Sequence, residues 1–114
     1  MRFLITEIPP SNNRYAGRLN CWEYRSEKQR WKLLVRQAVG RKIPPEPLSR
    51  ATVTLIYHFK DKRRRDPDNY SGKMILDGLT AAGIIADDSF FCIDLQLRAV
   101  YDKGGYTEII IEEE

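Results

Sequence analysis

The residues best suited to metal chemistry are four aspartates in two short segments. Asp66 and Asp68 are separated only by Pro67, and Asp87 and Asp88 follow about twenty residues later. Pro67 has its φ fixed at about −65° and favours an extended conformation at the residue before it. The Cα atoms of Asp66 and Asp68 should therefore lie about 7 Å apart, and their carboxylates can bind one cation. Carboxylate oxygens favour Mg²⁺, with Mn²⁺ as a possible substitute, and Mg²⁺ keeps positions open for water or phosphate oxygens. These segments therefore predict a divalent metal site.

The second aspartate pair and one lysine complete this set of candidates. Neighbouring residues of an extended segment point to opposite sides, so we expect one of Asp87 and Asp88 to reach the metal and the other to cap a turn or bind an outer-shell water. The sequence does not choose between them. Lys73 lies on the first turns of the helix expected after Asp68, where its charge could stabilise a transferring phosphoryl group or a leaving oxygen.

Positive charge is concentrated in the first part of the chain. Residues 1–65 contain 16 Lys or Arg against 5 Asp or Glu, a net charge of +11, whereas residues 66–114 contain 3 against 11, a net charge of −8. This asymmetry indicates a polyanionic partner for the first part. A basic run within residues 60–65 stands directly before Asp66, and it predicts contacts with nucleic-acid phosphates from Lys62, Arg63, Arg64 and Arg65.

Other classes of site lack their motifs. Two distant cysteines, Cys21 and Cys92, and a single histidine, His58, support neither a zinc site nor a disulfide framework. No Gly-rich phosphate-binding loop or GxGxxG segment occurs, so a nucleotide cofactor has no support. No apolar run approaches the ~20 residues of a membrane helix, and the N-terminal residues lack the features of a signal peptide, which predicts a cytoplasmic protein without a membrane partner.

The periodicity of apolar residues predicts the elements that must position these groups. One domain is expected over residues 1–114, because two cores in a chain of this length would each be marginal. Period-2 segments predict strands and period-3.6 segments predict helices. The predicted fold is α/β of the α+β type, a small mixed sheet with two main helices in the order β-α-β-α-β-β, with strands at 2–8, 51–60, 93–101 and 106–111 and helices at 22–42 and from about Asp68 to Gly83. The last two strands are predicted to form a hairpin, and the residues through Asn20 an ordered loop.

Each chemical interpretation has a structural alternative. The Asp-Pro-Asp-Asn segment and the Asp87-Asp88 pair could be turns, in which Asp and Asn bond to local backbone. Lys73 and Asp77 could be a solvated ion pair four residues apart on a helix. His58, at a polar position of a strand, is expected to be structural. The basic stripe of the first helix is expected to be a solvated face rather than a binding surface; it comprises Arg25, Lys28, Lys32 and Arg36.

Four short motifs stand out along the chain: Pro9-Pro10-Ser11-Asn12-Asn13-Arg14-Tyr15, Arg64-Arg65-Asp66-Pro67-Asp68-Asn69, Leu76-Asp77-Gly78-Leu79 followed by Ala82-Gly83, and Asp87-Asp88. Together they resemble the RusA family of Holliday-junction resolvases, small Mg²⁺-dependent endonucleases of bacteria and their phages. The resemblance spans most of the chain and is specific as a combination. It implies a homodimer with a mixed α/β fold, metal-binding aspartates at Asp66, Asp68 and Asp88, and a required lysine.

The required lysine is where the sequence departs from the pattern of the family. In the family it usually follows the first aspartate by six residues, where Gly72 stands here, and Lys73 comes one residue later. The spacing from Lys73 to Asp88 and to the Leu-Asp-Gly-Leu segment fits the family. A one-residue insertion between Asn69 and Lys73 is therefore the simplest account.

These observations lead to one functional hypothesis and two alternatives. The hypothesis is a Mg²⁺-dependent, structure-selective DNA endonuclease that resolves four-way (Holliday) junctions by paired phosphodiester cleavage in DNA recombination and repair. In this hypothesis Asp66, Asp68 and Asp88 hold the metal, with Asp87 in support, and Lys73 stabilises developing charge. The resemblance also implies a DNA-facing surface, formed by Asn12, Asn13, Arg14 and Asn69. The first alternative is a non-catalytic DNA-binding module with structural aspartates, and the second is hydrolysis of small phosphate esters, which the basic surplus disfavours.

Overall fold

The computed structural model describes residues 1–14 and 21–114 as a small mixed α+β domain, the class predicted from the sequence. Four strands and two helices follow in chain order: β1 (Arg2–Ile5), α1 (Cys21–Val39), β2 (Ala51–Phe59), α2 (Lys73–Ala81), β3 (Ile93–Tyr101) and β4 (Tyr106–Glu113). Short 3₁₀ turns lie at Asn12–Arg14 and Pro67–Asn69. The predicted loop after β1 is described as far as Arg14, and its part at 15–20, including Tyr15, lies outside the described residues.

The four strands form one sheet in the order β1-β4-β2-β3. β2 is antiparallel to β4 on one side and parallel to β3 on the other, with α2 connecting the parallel pair. The predicted hairpin between β3 and β4 is therefore wrong, because β2 separates the two strands. Their connection crosses the end of β2, where the Asp102 N–H donates to the Phe59 carbonyl at 3.0 Å. Alternation and a glycine-containing turn predict strands and turns, but they do not identify the neighbouring strand.

The core forms where the apolar periods of helices and strands meet. The odd-numbered side chains of β2 are all buried, as the period-2 pattern predicts. They pack in one cluster with Trp31 and Val35 of α1 and with Ile75 and Leu79 of α2. β1 is shorter than predicted and follows the same rule, since Phe3 is buried while Leu4 is exposed. Among the described helices, none combines the length and apolar character needed to cross a membrane.

The start of α2 differs from the prediction. The helix begins at Lys73, whereas Asp68 lies in the preceding 3₁₀ turn. The prediction that Asp68 caps this helix is wrong, because Gly72 takes a left-handed conformation (φ +78°) that interrupts the helical backbone after the turn. The predicted end is confirmed, since α2 stops at Ala81 and Gly83 follows with φ +81°.

Gly72 also lets the start of α2 approach the sheet closely. A Cβ at this position would lie 2.2 Å from Leu55 Cδ1 and 3.2 Å from the Tyr57 hydroxyl. Leu55 is fully buried and has no room to withdraw. The glycine therefore fixes how near Lys73, the next residue, stands to β2.

Replacing Gly72 by Ala should destabilise the protein by about 1–3 kcal/mol more than replacing Gly83 by Ala. The two glycines have nearly the same φ, +78° and +81°, but a Cβ at Gly83 meets nothing nearer than 3.9 Å. The pair therefore separates overpacking from backbone strain. Free energies of unfolding from denaturant titration would measure the difference, and equal losses for both variants would contradict the close packing of Gly72 on Leu55.

Candidate metal and nucleic-acid site

The N-terminal loop and the aspartate segment meet through asparagine side chains. Asn12 Nδ2 donates to the Asp68 carbonyl and to Ser71 Oγ, both at 3.0 Å. The Asn13 N–H donates to Asn69 Oδ1 at 2.7 Å. Two motifs more than 50 residues apart in the sequence are thus joined, a contact that the sequence did not predict. Ser71 is a contact that the sequence pattern did not identify, because only the folded chain brings it to the loop.

A cavity of about 400 Å³ opens between this loop and the start of α2. Its wall includes Pro10, Tyr57, Tyr70 and Lys73. The Tyr57 hydroxyl is buried and has no hydrogen-bond partner among the described residues. Burial raises the pKa of Tyr57 well above its usual range, and the neighbouring Tyr70 adds to this effect, so the group stays neutral. The position of Tyr57 among the apolar, odd-numbered residues of β2 predicted its burial correctly but did not predict this cavity.

A chain of alternating charges runs from α1 to the second aspartate pair. Lys28 Nζ lies 3.3 Å from Asp77 Oδ2, and Lys73 Nζ lies 3.1 Å from Asp77 Oδ1. Lys73 Nζ also lies 3.3 Å from Asp88 Oδ2. The structural alternative for Lys73 and Asp77 is an ion pair four residues apart; the pair is present, but Asp77 is only 17% exposed, so the pair is not fully solvated, and its extension to Lys28 and Asp88 depends on tertiary contacts. Asp77 therefore holds two lysines in place.

Lys73 remains a cation in this arrangement. Its pKa is raised above the ordinary value, first by the hydrogen bond to Asp77 and also by Asp88, against a smaller opposing effect of burial. A protonated lysine can stabilise negative charge but cannot act as a base. The geometry therefore supports an electrostatic role for Lys73.

The second aspartate pair returns to the end of α2 at which the helix begins. Asp88 contacts Lys73, the first residue of α2, while the neighbouring Asp87 is exposed. Of the two adjacent acids, Asp88 is thus the one that faces the start of α2. This arrangement favours Asp88 as the inner residue of the pair and Asp87 as the outer one.

One acid of each segment borders a cavity that β3 also lines. Asp66 borders a cavity of about 60 Å³ that also contacts Leu97, and Asp88 borders one of about 380 Å³ that contacts Leu95. Leu95 and Leu97 are alternate residues of one strand and so share a face of the sheet. Asp66 and Asp88 thus border β3 near two residues of one face, in two cavities that share no lining residue.

This surface suits a metal ion in the chemical type of its ligand atoms. Exposed carboxylate oxygens suit Mg²⁺. Within residues 1–14 and 21–114, however, no three His, Cys, Asp or Glu side chains are grouped so that they could hold a metal ion. Asp66 instead lies 3.3 Å from Arg64 Nε, and Asp88 pairs with Lys73. In the described structure the carboxylates of Asp66 and Asp88 are therefore each paired with a basic side chain.

The basic run divides into exposed and internal side chains. Arg63 and Arg64 are 80% and 89% exposed, and Lys62 is exposed as well. Arg65 is only 13% exposed; it pairs with Asp61 at 2.9 Å. Its guanidinium also lies 4.1 Å from the centre of the Phe59 ring and donates to two backbone carbonyls of its own loop. Arg65 therefore shapes the segment that displays the other cations, and its phosphate contact stays a prediction.

Arg14, also predicted to face DNA, lies 3.3 Å from Glu23 at the start of α1.

A second polar cluster surrounds His58 at the opposite end of β2 from Ala51. Nδ1 of His58 lies 2.9 Å from Asp102, and Nε2 lies 2.7 Å from Glu108, which also pairs with Arg2. The ring stacks on Tyr106 at 4.0 Å. Burial alone would lower the pKa of His58, but the hydrogen bonds to the two carboxylates outweigh it and raise the pKa. The structural role expected for His58 fits this cluster.

Stability from the His58 cluster should be present at pH 6 and should decline as the pH rises through the raised pKa of His58. Both ring nitrogens can donate only in the protonated form. The pKa values of Asp102 and Glu108 are lowered, first by the hydrogen bond to His58 in each case, so their charges persist into mild acid. We expect His58→Gln to lower the thermal midpoint by several degrees at pH 6 and by less at pH 9. An equal loss at both pH values would contradict a protonated bridge.

Comparison of the chain with protein-family models and with curated proteins finds no match to either.

Proposed function

We propose that this chain is a cytoplasmic, Mg²⁺-dependent, structure-selective DNA endonuclease of RusA-like fold, which resolves Holliday junctions by paired phosphodiester cleavage in DNA recombination and repair. One observation carries the proposal: three separate segments meet around the start of α2. The N-terminal loop bonds to Asp68 and Ser71 through Asn12, and Asp88 returns to contact Lys73. Two acidic segments beside exposed cations are what metal-assisted hydrolysis of a polyanion requires.

Asp66, Asp68 and Asp88 would hold the metal, with Asp87 in support, and the ion would have to draw together carboxylates that are not grouped in the described structure. A bound divalent ion supplies activation of water and neutralisation of phosphate charge. Lys73 would place its ammonium against charge developing on the phosphate or on the leaving oxygen. Asp77 keeps Lys73 protonated and oriented, which makes Asp77 a positioning residue.

The exposed cations would hold the DNA backbone. Lys62, Arg63 and Arg64 project from a loop that internal Arg65 stabilises, so they can approach phosphates without reading sequence. The loop residues proposed to face the DNA beside them are Asn12, Asn13, Arg14 and Asn69. Because Asn12 and Asn13 already tie this loop to the aspartate segment, DNA contact there would be coupled to the metal site.

A four-way junction has approximate two-fold symmetry, and paired cuts need paired sites. A homodimer with two-fold symmetry would present one site to each of two opposed strands. We therefore propose that the protein acts as such a homodimer.

A non-catalytic DNA-binding module is the second candidate. The observation that favours it is that Asp66 and Asp88 each pair with a cation, so the aspartates could be structural. In that case the protein binds branched DNA and never cuts it.

Cleavage assays on synthetic DNA separate these candidates. The purified protein would be incubated with labelled mobile and immobile four-way junctions, linear duplex and a nucleotide monoester, with Mg²⁺, with Mn²⁺ or with chelator. The nuclease proposal expects symmetric paired nicks in junctions with Mg²⁺ and none with chelator. Tight binding without cleavage in either metal would establish the DNA-binding module, and hydrolysis of the monoester alone would indicate a small-molecule phosphoesterase.

A further inference from the structure

β3 is an unprotected edge of the sheet. Within the described residues it pairs with β2 on one side only, although it is nine residues long. Edge strands of monomeric proteins are usually short or carry proline, bulges or charged side chains, lysine above all, that prevent pairing with another chain. β3 contains neither proline nor lysine, and its two charged residues, Asp94 and Arg98, are of opposite sign. The other edge strand, β1, has only four residues.

Exposed apolar side chains flank both ends of this edge. Phe90 and Phe91 before the strand are 98% and 90% exposed, and Val100 and Tyr101 at its end are 39% and 43% exposed. The turn carrying the phenylalanines is ordered, because Arg50 donates to the Phe90 carbonyl at 2.7 Å and the turn closes with 3.0 Å backbone bonds to the Ser89 carbonyl. Large apolar groups displayed on ordered backbone are typical of an interaction surface.

We propose that β3 pairs antiparallel with β3 of a second copy of this chain, across a two-fold axis at Gln96. In this register Asp94 of each copy lies opposite Arg98 of the other, which makes two charge-complementary pairs. Shifting the register by two residues in either direction places Asp94 opposite Gln96 or Val100 instead. Among neighbouring two-fold registers that keep both helical layers on one side, this register alone pairs the two charges.

The same register gives apolar or sulfur-containing partners to three of the four exposed apolar groups, Phe91, Val100 and Tyr101. Tyr101 of one copy falls opposite Phe91 of the other, and Val100 falls opposite Cys92. On the helix side, Leu95 of one copy faces Leu97 of the other; both are only partly buried in the single chain. The edge is therefore complementary to itself in charge and in apolar surface.

This pairing names the surface of the homodimer included in the proposed function, and it would place both candidate sites beside the axis. Asp66 and Asp88 border cavities lined by Leu97 and Leu95 of β3. A second β3 would extend the sheet next to those cavities. The two sets of acids would then lie on a common surface of eight strands, related by the symmetry that paired cuts need.

Charge exchange across the axis tests the pairing. Asp94→Arg and Arg98→Asp should each weaken dimerisation at least ~10-fold, because each creates two like-charge pairs, and the double exchange Asp94→Arg/Arg98→Asp should restore it to within about threefold of wild type. Light scattering and sedimentation over a concentration series give the association constant. Glu46→Arg, in an exposed loop, is the control for altered net charge, and thermal midpoints verify folding. A monomer at all concentrations, or single variants that dimerise as wild type does, would overturn the proposal.

Cross-linking gives an independent measurement of the register. In a Cys21→Ser/Cys92→Ser background, which removes both free thiols, Gln96→Cys places two thiols on the axis within disulfide distance. Asp94→Cys is the matched control, because its two copies would lie four residues apart along the strand, about 13 Å. We expect oxidation to cross-link the first variant and not the second; the reverse would refute this register. A dimer that never cleaves DNA would support the β3 pairing and refute the nuclease function. A monomer that cleaves DNA would refute the β3 pairing and support the nuclease function.

Discussion

Replacing Asp68 by Asn should reduce Mg²⁺-dependent cleavage on the order of 100-fold or more, while DNA binding stays at the wild-type level or strengthens. The substitution removes one negative charge and keeps the shape of the side chain. It also leaves the loop contact intact, because Asn12 bonds to the backbone carbonyl of Asp68 and not to its carboxylate. The loss of activity can therefore be assigned to the carboxylate itself.

Single-turnover cleavage and binding in Ca²⁺ or chelator would measure the two effects of Asp68→Asn separately. Glu46→Gln makes the same change of charge in an exposed loop away from the site, and we expect it to cleave as wild type does. Asp66→Asn should behave like Asp68→Asn. Full cleavage by the Asp68 variant would exclude this carboxylate from the site and favour the DNA-binding module.

The individual elements could be predicted because their signals are local. β2 alternates between apolar and polar residues over its whole length, and its buried side chains are those that the period selects. α1 shows the helical period and ends before Gly40, which has φ +58°. Such patterns depend on residues within one or two turns of each other.

Contacts between distant elements could not be predicted in the same way. β3 and β4 carry the pattern of a hairpin, yet β2 inserts between them, since parallel pairing with β3 and antiparallel pairing with β4 satisfy the same alternation. His58 shows the same limit. Its partners, Asp102 and Glu108, lie more than 40 residues away and meet it only because the β3–β4 connection crosses the end of β2.

The candidate site was predictable in composition and not in geometry. The acids and cations were evident from their types and spacing, whereas the return of Asp88 to the start of α2 depends on how the sheet packs and could not be predicted. The internal position of Arg65 could not be inferred from a run of similar basic residues, because it depends on Phe59 of β2 lying beneath it. Nor could the left-handed Gly72, which sets where the helix begins, be distinguished from other glycines without its neighbours.

Replacing Lys73 by Gln should lower the single-turnover cleavage rate by about 10²–10³-fold while changing the free energy of unfolding by less than about 1 kcal/mol. Lys73 is half exposed, and partly exposed ion pairs contribute little to stability. A purely structural lysine would show the reverse, a loss of stability with a normal rate in the folded fraction. Lys73→Arg should recover part of the rate because it keeps the charge.

The matched control for Lys73→Gln is Lys103→Gln, which removes one positive charge from an exposed turn between β3 and β4. It should show the same small change in salt-dependent DNA binding and no change in cleavage rate.

Because the pKa of Lys73 is raised, the wild-type rate should not fall through loss of this proton below about pH 10. Asp77→Asn removes the principal cause of that raised pKa, so the cleavage rate of this variant should begin to fall at a lower pH than that of wild type. Lys28→Gln is the control, because it removes the other lysine paired with Asp77 and leaves the Lys73–Asp77 pair in place; it should not produce this shift. Coincident pH profiles for wild type and Asp77→Asn would show that Asp77 does not act through Lys73.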